Sequence, residues 1–163
     1  MIPIRAAAAA ALAMLAACAG ASPRAEPASF YVMRHLHRAG AEDRLTELGL
    51  RCATRLAEEL GGSGIGAVYQ STTQRARDTA APLAARIGVA PKDYDPRDTE
   101  GLVARVRAEP GSVLVVGHSN TVPEIVERLG GARPGDLAED RFGEVWRVAR
   151  DGGAVTVSRI EGC

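Results

Sequence analysis

The sequence predicts an α/β domain built as a three-layer sandwich, with helices on both faces of a largely parallel central sheet. Three observations carry that expectation. From Ser29 onward, short apolar runs alternate with stretches whose apolar residues recur at helical spacing. The run Val113 to Gly117 (VLVVG) has no polar side chain, the pattern of a strand covered on both faces. Finally, 163 residues, 46% of them hydrophobic, make one domain with one core.

The first strand is Ser29 to Arg34 (SFYVMR), followed by a loop to Arg44 and a helix that Thr46 opens and Leu60 ends. Gly61 to Gly66 (GGSGIG) invites a phosphate-loop reading. It precedes a strand instead of following one, and no lysine closes it, so it reads as a helix stop and turn. A short strand over Ala67 to Gln70 and a helix over Thr73 to Ile87 come next, then a third strand at Lys92 to Tyr94. Asp98 to Ala108 reads as a helix, Val113 to Gly117 as the buried strand, and about Thr121 to Leu129 as the last helix. Phe142 to Val148 and Ala154 to Ile160 alternate like the strands of a half-exposed hairpin, with Asp151, Gly152 and Gly153 as its turn.

The N-terminus is expected to lie outside this fold. Residues 1–17 carry a lone Arg5, an apolar stretch from Ala6 to Ala17 and no polar face, the pattern of a secretory leader. Leu15 to Cys18 (LAAC) resembles a bacterial lipobox, which implies cleavage before Cys18 and lipid on its thiol. Cleavage near Ala19 by an ordinary signal peptidase is the alternative and gives a soluble exported protein. Residues 18–28, with Pro23 and Pro27, then form a tether. With Cys18 lipidated, Cys52 and Cys163 remain as an even pair in an oxidising compartment. Cys52 lies on the stripe Leu48, Cys52, Leu56, Leu60, which favours a buried core thiol over a disulfide.

Charge narrows the partners. Twenty basic residues balance twenty acidic ones, and no basic block is present, which argues against nucleic acid as a ligand. No apolar run reaches the roughly 20 residues of a membrane-spanning helix. Only Lys92 among the basic residues is lysine, so arginine supplies nearly all the positive charge and suits forked contacts to anions.

Open α/β sheets bind ligands beyond the carboxyl ends of their strands. There this sequence puts Arg34, His35, His37 and Arg38 after the first strand, Ser71, Arg75 and Arg77 after the second, and His118, Ser119 and Asn120 after the buried one. Gly117 to Thr121 (GHSNT) approximates a nucleophile elbow, but Thr121 replaces its last glycine and no histidine follows His118 to serve as the base. Ser119 therefore reads as a helix cap or backbone partner together with Asn120. The alternating His35 and His37 could pair on a metal, with His118 and Asp95 or Asp98 completing the shell. The flanking Arg34 and Arg38 oppose a cation and favour an anion, such as a tetrahedral phosphate gripped by forked donors. The same cations favour neutral imidazole, the nucleophilic form.

These residues resemble the histidine phosphatase superfamily, the phosphoglycerate-mutase-like proteins. Arg34 to Arg38 (RHLHR) is similar to its first histidine signature, Leu45 to Gly49 (LTELG) to the opening of its first helix, Ser71 to Ala80 (STTQRARDTA) to its second arginine segment, and Val113 to Pro123 (VLVVGHSNTVP) to its second-histidine block. The resemblance implies a phosphoglycerate-mutase-like fold over residues 29–163 and phosphoryl transfer through a phosphohistidine on His35, without metal or cofactor. It implies that Arg34 and Arg75 hold the phosphoryl oxygens and that His118 completes the pocket, while Arg38, Ser71 and Asn120 contact substrate. In longer relatives a glutamate after the third strand or in an inserted subdomain protonates the leaving oxygen. No such insertion is present here, which leaves Asp95, Asp98 and Glu100, with Asp95 preferred for its place at the strand's end. Each also reads as a solvated or capping carboxylate. His37 departs from the family pattern and reads as a rim residue, and Arg77, about 200° around the helix from Arg75, as solvated. The expectation is a metal-independent phosphatase of the bacterial envelope acting on small phosphate monoesters or phosphohistidine, with a non-catalytic phospho-ligand-binding lipoprotein or a His-ligated metal-dependent hydrolase as alternatives.

Overall fold

The computed structural model describes residues 27–163. The predicted leader, the lipobox with Cys18 and all but the last two residues of the predicted tether lie outside the described residues. In chain order the described elements are β1 (Ser29–Arg34), α1 (Glu47–Leu60), β2 (Ile65–Ser71), α2 (Gln74–Ile87), β3 (Lys92–Tyr94), α3 (Thr99–Ala108), β4 (Ser112–Gly117), α4 (Val122–Arg128), β5 (Glu144–Ala149) and β6 (Val155–Arg159). The strands form one sheet in the order β3, β2, β4, β1, β5, β6. β1, β2, β3 and β4 run parallel, β5 joins antiparallel to β1, and β6 antiparallel to β5.

Alternation along the strands divides the core in two. Tyr31 and Met33 of β1, with Val68, Leu114 and Val116, pack against Cys52 and Leu56 of α1 and Ala80 and Leu83 of α2. Phe30 and Val32, with Val113 and Val115, meet Leu102 and Val106 of α3 and Ile125 and Val126 of α4 on the other face. β1 and β4 are buried at every position, as strands with helices on both sides must be. This is the predicted three-layer arrangement.

Local signals account for the helix starts. Thr46 Oγ1 accepts from Gly49 N at 3.1 Å at the head of α1, and Asp98 Oδ1 accepts from Gly101 N at 2.9 Å at the head of α3. Gly49 also lets α1 close on the loop after β1. A Cβ there would lie 2.4 Å from the His37 carbonyl oxygen, which accepts from Thr46 N.

Three expectations need correction. Leu48 is exposed, because the buried face of α1 runs through Gly49, Cys52, Ala53, Leu56 and Ala57. The hairpin is not half-exposed along each strand: β5 is largely buried between β1 and β6, and β6 carries the exposure of the sheet edge. Cys52 is fully buried but not a free thiol. It forms a disulfide with Cys163, their Cα atoms 6.0 Å apart, which ties the C-terminus to α1.

Candidate active site

The carboxyl ends of β1 and β4 lie side by side and deliver the two histidines. His35 N donates to Gly117 O at 2.9 Å, which extends the β1–β4 ladder one step and fixes the backbone of His35. Leu36 N donates to Thr79 Oγ1, and Thr79 Oγ1 donates to Arg75 O, so the loop after β1 is stitched to the first turns of α2. His118 N donates to Thr121 Oγ1 at 3.0 Å. The result is an open pocket of about 350 Å³ into which His35, His118, Arg34, Arg38 and Arg75 project.

The two imidazoles lie edge to face with centroids 5.5 Å apart. His35 Nδ1 is 2.9 Å from Leu36 O. A carbonyl only accepts, so Nδ1 carries the hydrogen and Nε2 keeps its lone pair. Burial pushes the His35 pKa down to about 3; the Leu36 hydrogen bond opposes this, and the charges of Arg75, Arg34 and His118 add to it. At neutral pH the ring is therefore uncharged, with a lone pair on Nε2. His118 Nδ1 faces Arg75 Nη2 at 3.4 Å. A guanidinium only donates, so Nδ1 accepts and the neutral ring presents Nε2–H. Burial first, then Arg75 and Arg34, lower its pKa to about 4. The expected cationic influence on both rings is present, but desolvation is the larger cause.

The arginines are less free than the sequence suggests. Arg34 is buried, and its Nη1 donates to Ala138 O at 3.1 Å and Glu139 O at 3.0 Å, its Nη2 to Glu139 Oε2 at 3.3 Å. Its guanidinium also stacks over Phe142 at 4.3 Å. Much of Arg34 is thus spent on holding the segment between α4 and β5. Arg75 Nη1 pairs with Asp43 Oδ1 at 2.8 Å, while Asp43 Oδ2 accepts from Gln74 N at the start of α2. Arg38 Nη1 donates to Gly40 O. The Nε atoms of Arg34, Arg38 and Arg75 are buried and bond to nothing in the protein.

Asn120 lines the pocket as expected, but Ser71 does not: it is fully buried with its hydroxyl against Thr73 Oγ1, and Thr73 takes the place at the wall. Asp95 is outside the lining, because Arg97 N, Nε and Nη2 all donate to its carboxylate. Asp98 caps α3, and Glu100 is exposed on its first turn. Ser119 is not the helix cap, a position held by Thr121. Its hydroxyl donates to Glu139 Oε1 at 3.4 Å within the pocket. Arg77 pairs with Asp93 away from the pocket.

His37 stacks on Phe142 with centroids 4.5 Å apart, away from His118, so the three imidazoles do not converge on one point. Among the described residues no group of three His, Cys, Asp or Glu side chains is placed to hold a metal ion. Another concavity, about 420 Å³, is lined by Phe30, Arg107 and Arg150 at the amino end of β1. Its arginines are spent on carbonyl oxygens of Arg107, Gly111 and Arg128 at loop and helix ends, which is helix-end satisfaction and not an anion site.

The α/β fold thus brings two neutral imidazoles and three arginines to one pocket at the carboxyl ends of β1 and β4. Residues 31–101 match the model of the histidine phosphatase superfamily (branch 1), a stretch that includes His35 and Arg75 and ends before His118. The protein histidine phosphatase SixA solved with tungstate superposes with a TM-score of 0.62 at 20% identity, over 80% of this chain and 96% of that one. A putative phosphohistidine phosphatase SixA from Agrobacterium tumefaciens gives 0.59 at 19% identity, over 81% and 98%. A mycobacterial glucosyl-3-phosphoglycerate phosphatase gives 0.59 at 16%, over 83% and 99%. No curated protein matches the chain in sequence. The fold is thus the phosphoglycerate-mutase-like one, and the match over 31–101 supports the histidine phosphatase superfamily.

Proposed function

We propose that this protein is a metal-independent phosphatase that hydrolyses phosphate monoesters or phosphohistidine through a phosphohistidine on His35. One observation carries the reading: the Leu36 carbonyl holds the proton of His35 on Nδ1, so a neutral Nε2 is left at an arginine-lined pocket opposite His118. Nε2 attacks phosphorus, the N–P bond forms as the bond to the leaving oxygen breaks, and that oxygen takes the electron pair and a proton. Arg75, the free Nε of Arg34 and the His118 Nε2–H meet the charge on the equatorial oxygens. Water then attacks phosphorus, the N–P pair returns to His35, and inorganic phosphate leaves. That SixA and the mycobacterial phosphatase were solved with tungstate, phosphate and vanadate fits a pocket for a tetrahedral oxyanion.

The test is to trap the phosphoenzyme with a labelled phosphate ester and map it. The label should sit on His35, be lost in His35→Ala, and form equally in EDTA. Unchanged turnover in His35→Ala overturns the proposal. The engagement of Arg34 by the 138–141 carbonyls favours one second reading, a non-catalytic phospho-ligand-binding protein, which would bind phosphate esters without labelling.

We also propose that the protein is exported and held in the bacterial envelope by lipid on Cys18, facing the periplasm, with a soluble periplasmic form as the alternative. The Cys52–Cys163 disulfide supports export, since such bonds persist in oxidising compartments. Loss from the membrane fraction in Cys18→Ala is expected, and retention there overturns the anchor.

A further inference from the structure

We propose that Glu139 is the general acid and base of this site, a deduction that rests on the phosphatase reading above. Among the described residues it is the one carboxylate in the pocket lining. The other nearby carboxylates are spent: Asp43 on Arg75 and Gln74 N, Asp95 on Arg97, Asp98 on Gly101 N. Glu139 instead joins the two strand ends that carry the histidines. Its Oε2 accepts from Arg34, the neighbour of His35, and its Oε1 from Ser119, the neighbour of His118. Arg34 Nη1 also takes the Glu139 backbone carbonyl at 3.0 Å, so the residue is pinned by its main chain while its carboxylate stays 78% exposed to an arriving substrate. The chemistry needs such a group, because alkoxide leaves slowly unless it is protonated as the P–O bond breaks.

Arg34, Arg38, Arg75, Arg97 and His118 line the same pocket, and Asp140 adjoins Glu139 at its mouth. The protonated Glu139 carboxyl gives its hydrogen to the leaving oxygen as His35 Nε2 takes phosphorus. The resulting carboxylate then takes a proton from the water that attacks phosphorus, and the cycle closes with Glu139 again carrying one hydrogen.

Leaving groups of different basicity separate this from the alternatives. In rapid-quench experiments on the full chain, Glu139→Gln should slow phosphorylation of His35 by an alkyl phosphate at least tenfold more than by nitrophenyl phosphate, whose leaving group needs no proton. With nitrophenyl phosphate the variant should accumulate phosphoenzyme, since its hydrolysis has lost the base. In Glu139→Ala, added formate should restore part of the alkyl phosphate rate. Equal slowing with both substrates, or a lower KM with kcat unchanged, overturns the assignment. The latter would mark Glu139 as a plug on Arg34. Absence of any phosphoenzyme in the unaltered protein would instead remove the phosphatase reading beneath it.

Discussion

His35 and His118 are kept uncharged chiefly by burial, and this has a definite pH signature. Both folded pKa values, about 3 and about 4, lie below the ordinary 6.5. Between those values and 6.5 the unfolded chain binds more protons than the folded one, so stability is fully present above about pH 6.5 and falls as pH drops through the window. Urea midpoints should therefore decline from pH 7 to pH 4, less steeply in His118→Asn. The acid limb of kcat/KM should lie near pH 4, and a limb near 6.5 would contradict the described burial. Asp43 acts through Arg75: its carboxylate fixes the guanidinium that faces His118 and opposes the fall in the His118 pKa. Asp43→Ala should lower kcat/KM by roughly ten- to a hundredfold and move the acid limb lower still, and an unmoved limb would show that Asp43 does not govern His118. Arg34, His35, Arg75 and His118 were legible because each follows a strand that its own apolar pattern announces. Glu139 and Asp43 were not. Their partners are remote in sequence, Arg34 105 residues away and Arg75 32, and no periodicity marks the segments that carry them.

At the scale of elements, every predicted strand and helix is present, with ends shifted by one or two residues, because alternation and capping residues are local signals. The faces were harder to read. Four-residue spacing alone puts Leu48 inside, whereas the buried stripe uses Gly49, Ala53 and Ala57, small residues that let α1 lie close to its neighbours. Gly49 is the sharpest case, since its contact is with the main chain of His37, two residues beyond His35. Gly49→Ala should push α1 from the loop after β1 and cost about 1–3 kcal/mol, as overpacking does, with a larger relative loss in kcat/KM than the remote core change Leu102→Val. Equal losses in both variants would show that α1 does not position the loop. The segment between α4 and β5 belongs to this scale too: it has no regular structure, and Arg34 bonds to its Ala138 and Glu139 carbonyls beside the pocket.

Across the whole molecule, the sequence offers the disulfide as one of two readings: Cys52 and Cys163 make an even pair, but Cys52 also carries the marks of an ordinary core residue, and spacing alone cannot say that the C-terminus returns to α1. Its 111-residue separation closes most of the described chain into one loop. Cys163→Ser should cost about 4 kcal/mol by constraint of the unfolded chain, read as a lower urea midpoint that reductant reproduces in the unaltered protein; equal midpoints would show that the unfolded chain gains nothing from the link. The same link changes how the protein bears a mechanical load. A pull applied between Pro27 and Cys163 passes directly from Cys52 to the C-terminus, so residues between the two cysteines are shielded. Among the described residues only the stretch from Pro27 to Cys52 can extend, roughly 90 Å at full stretch against roughly 460 Å for the same residues once reduced. β1 lies inside that short stretch, between β4 and β5. In single-molecule stretching, the oxidised protein should give one short rip that removes the strand bearing Arg34, and with it the pocket, while the remaining fold stays out of the line of force.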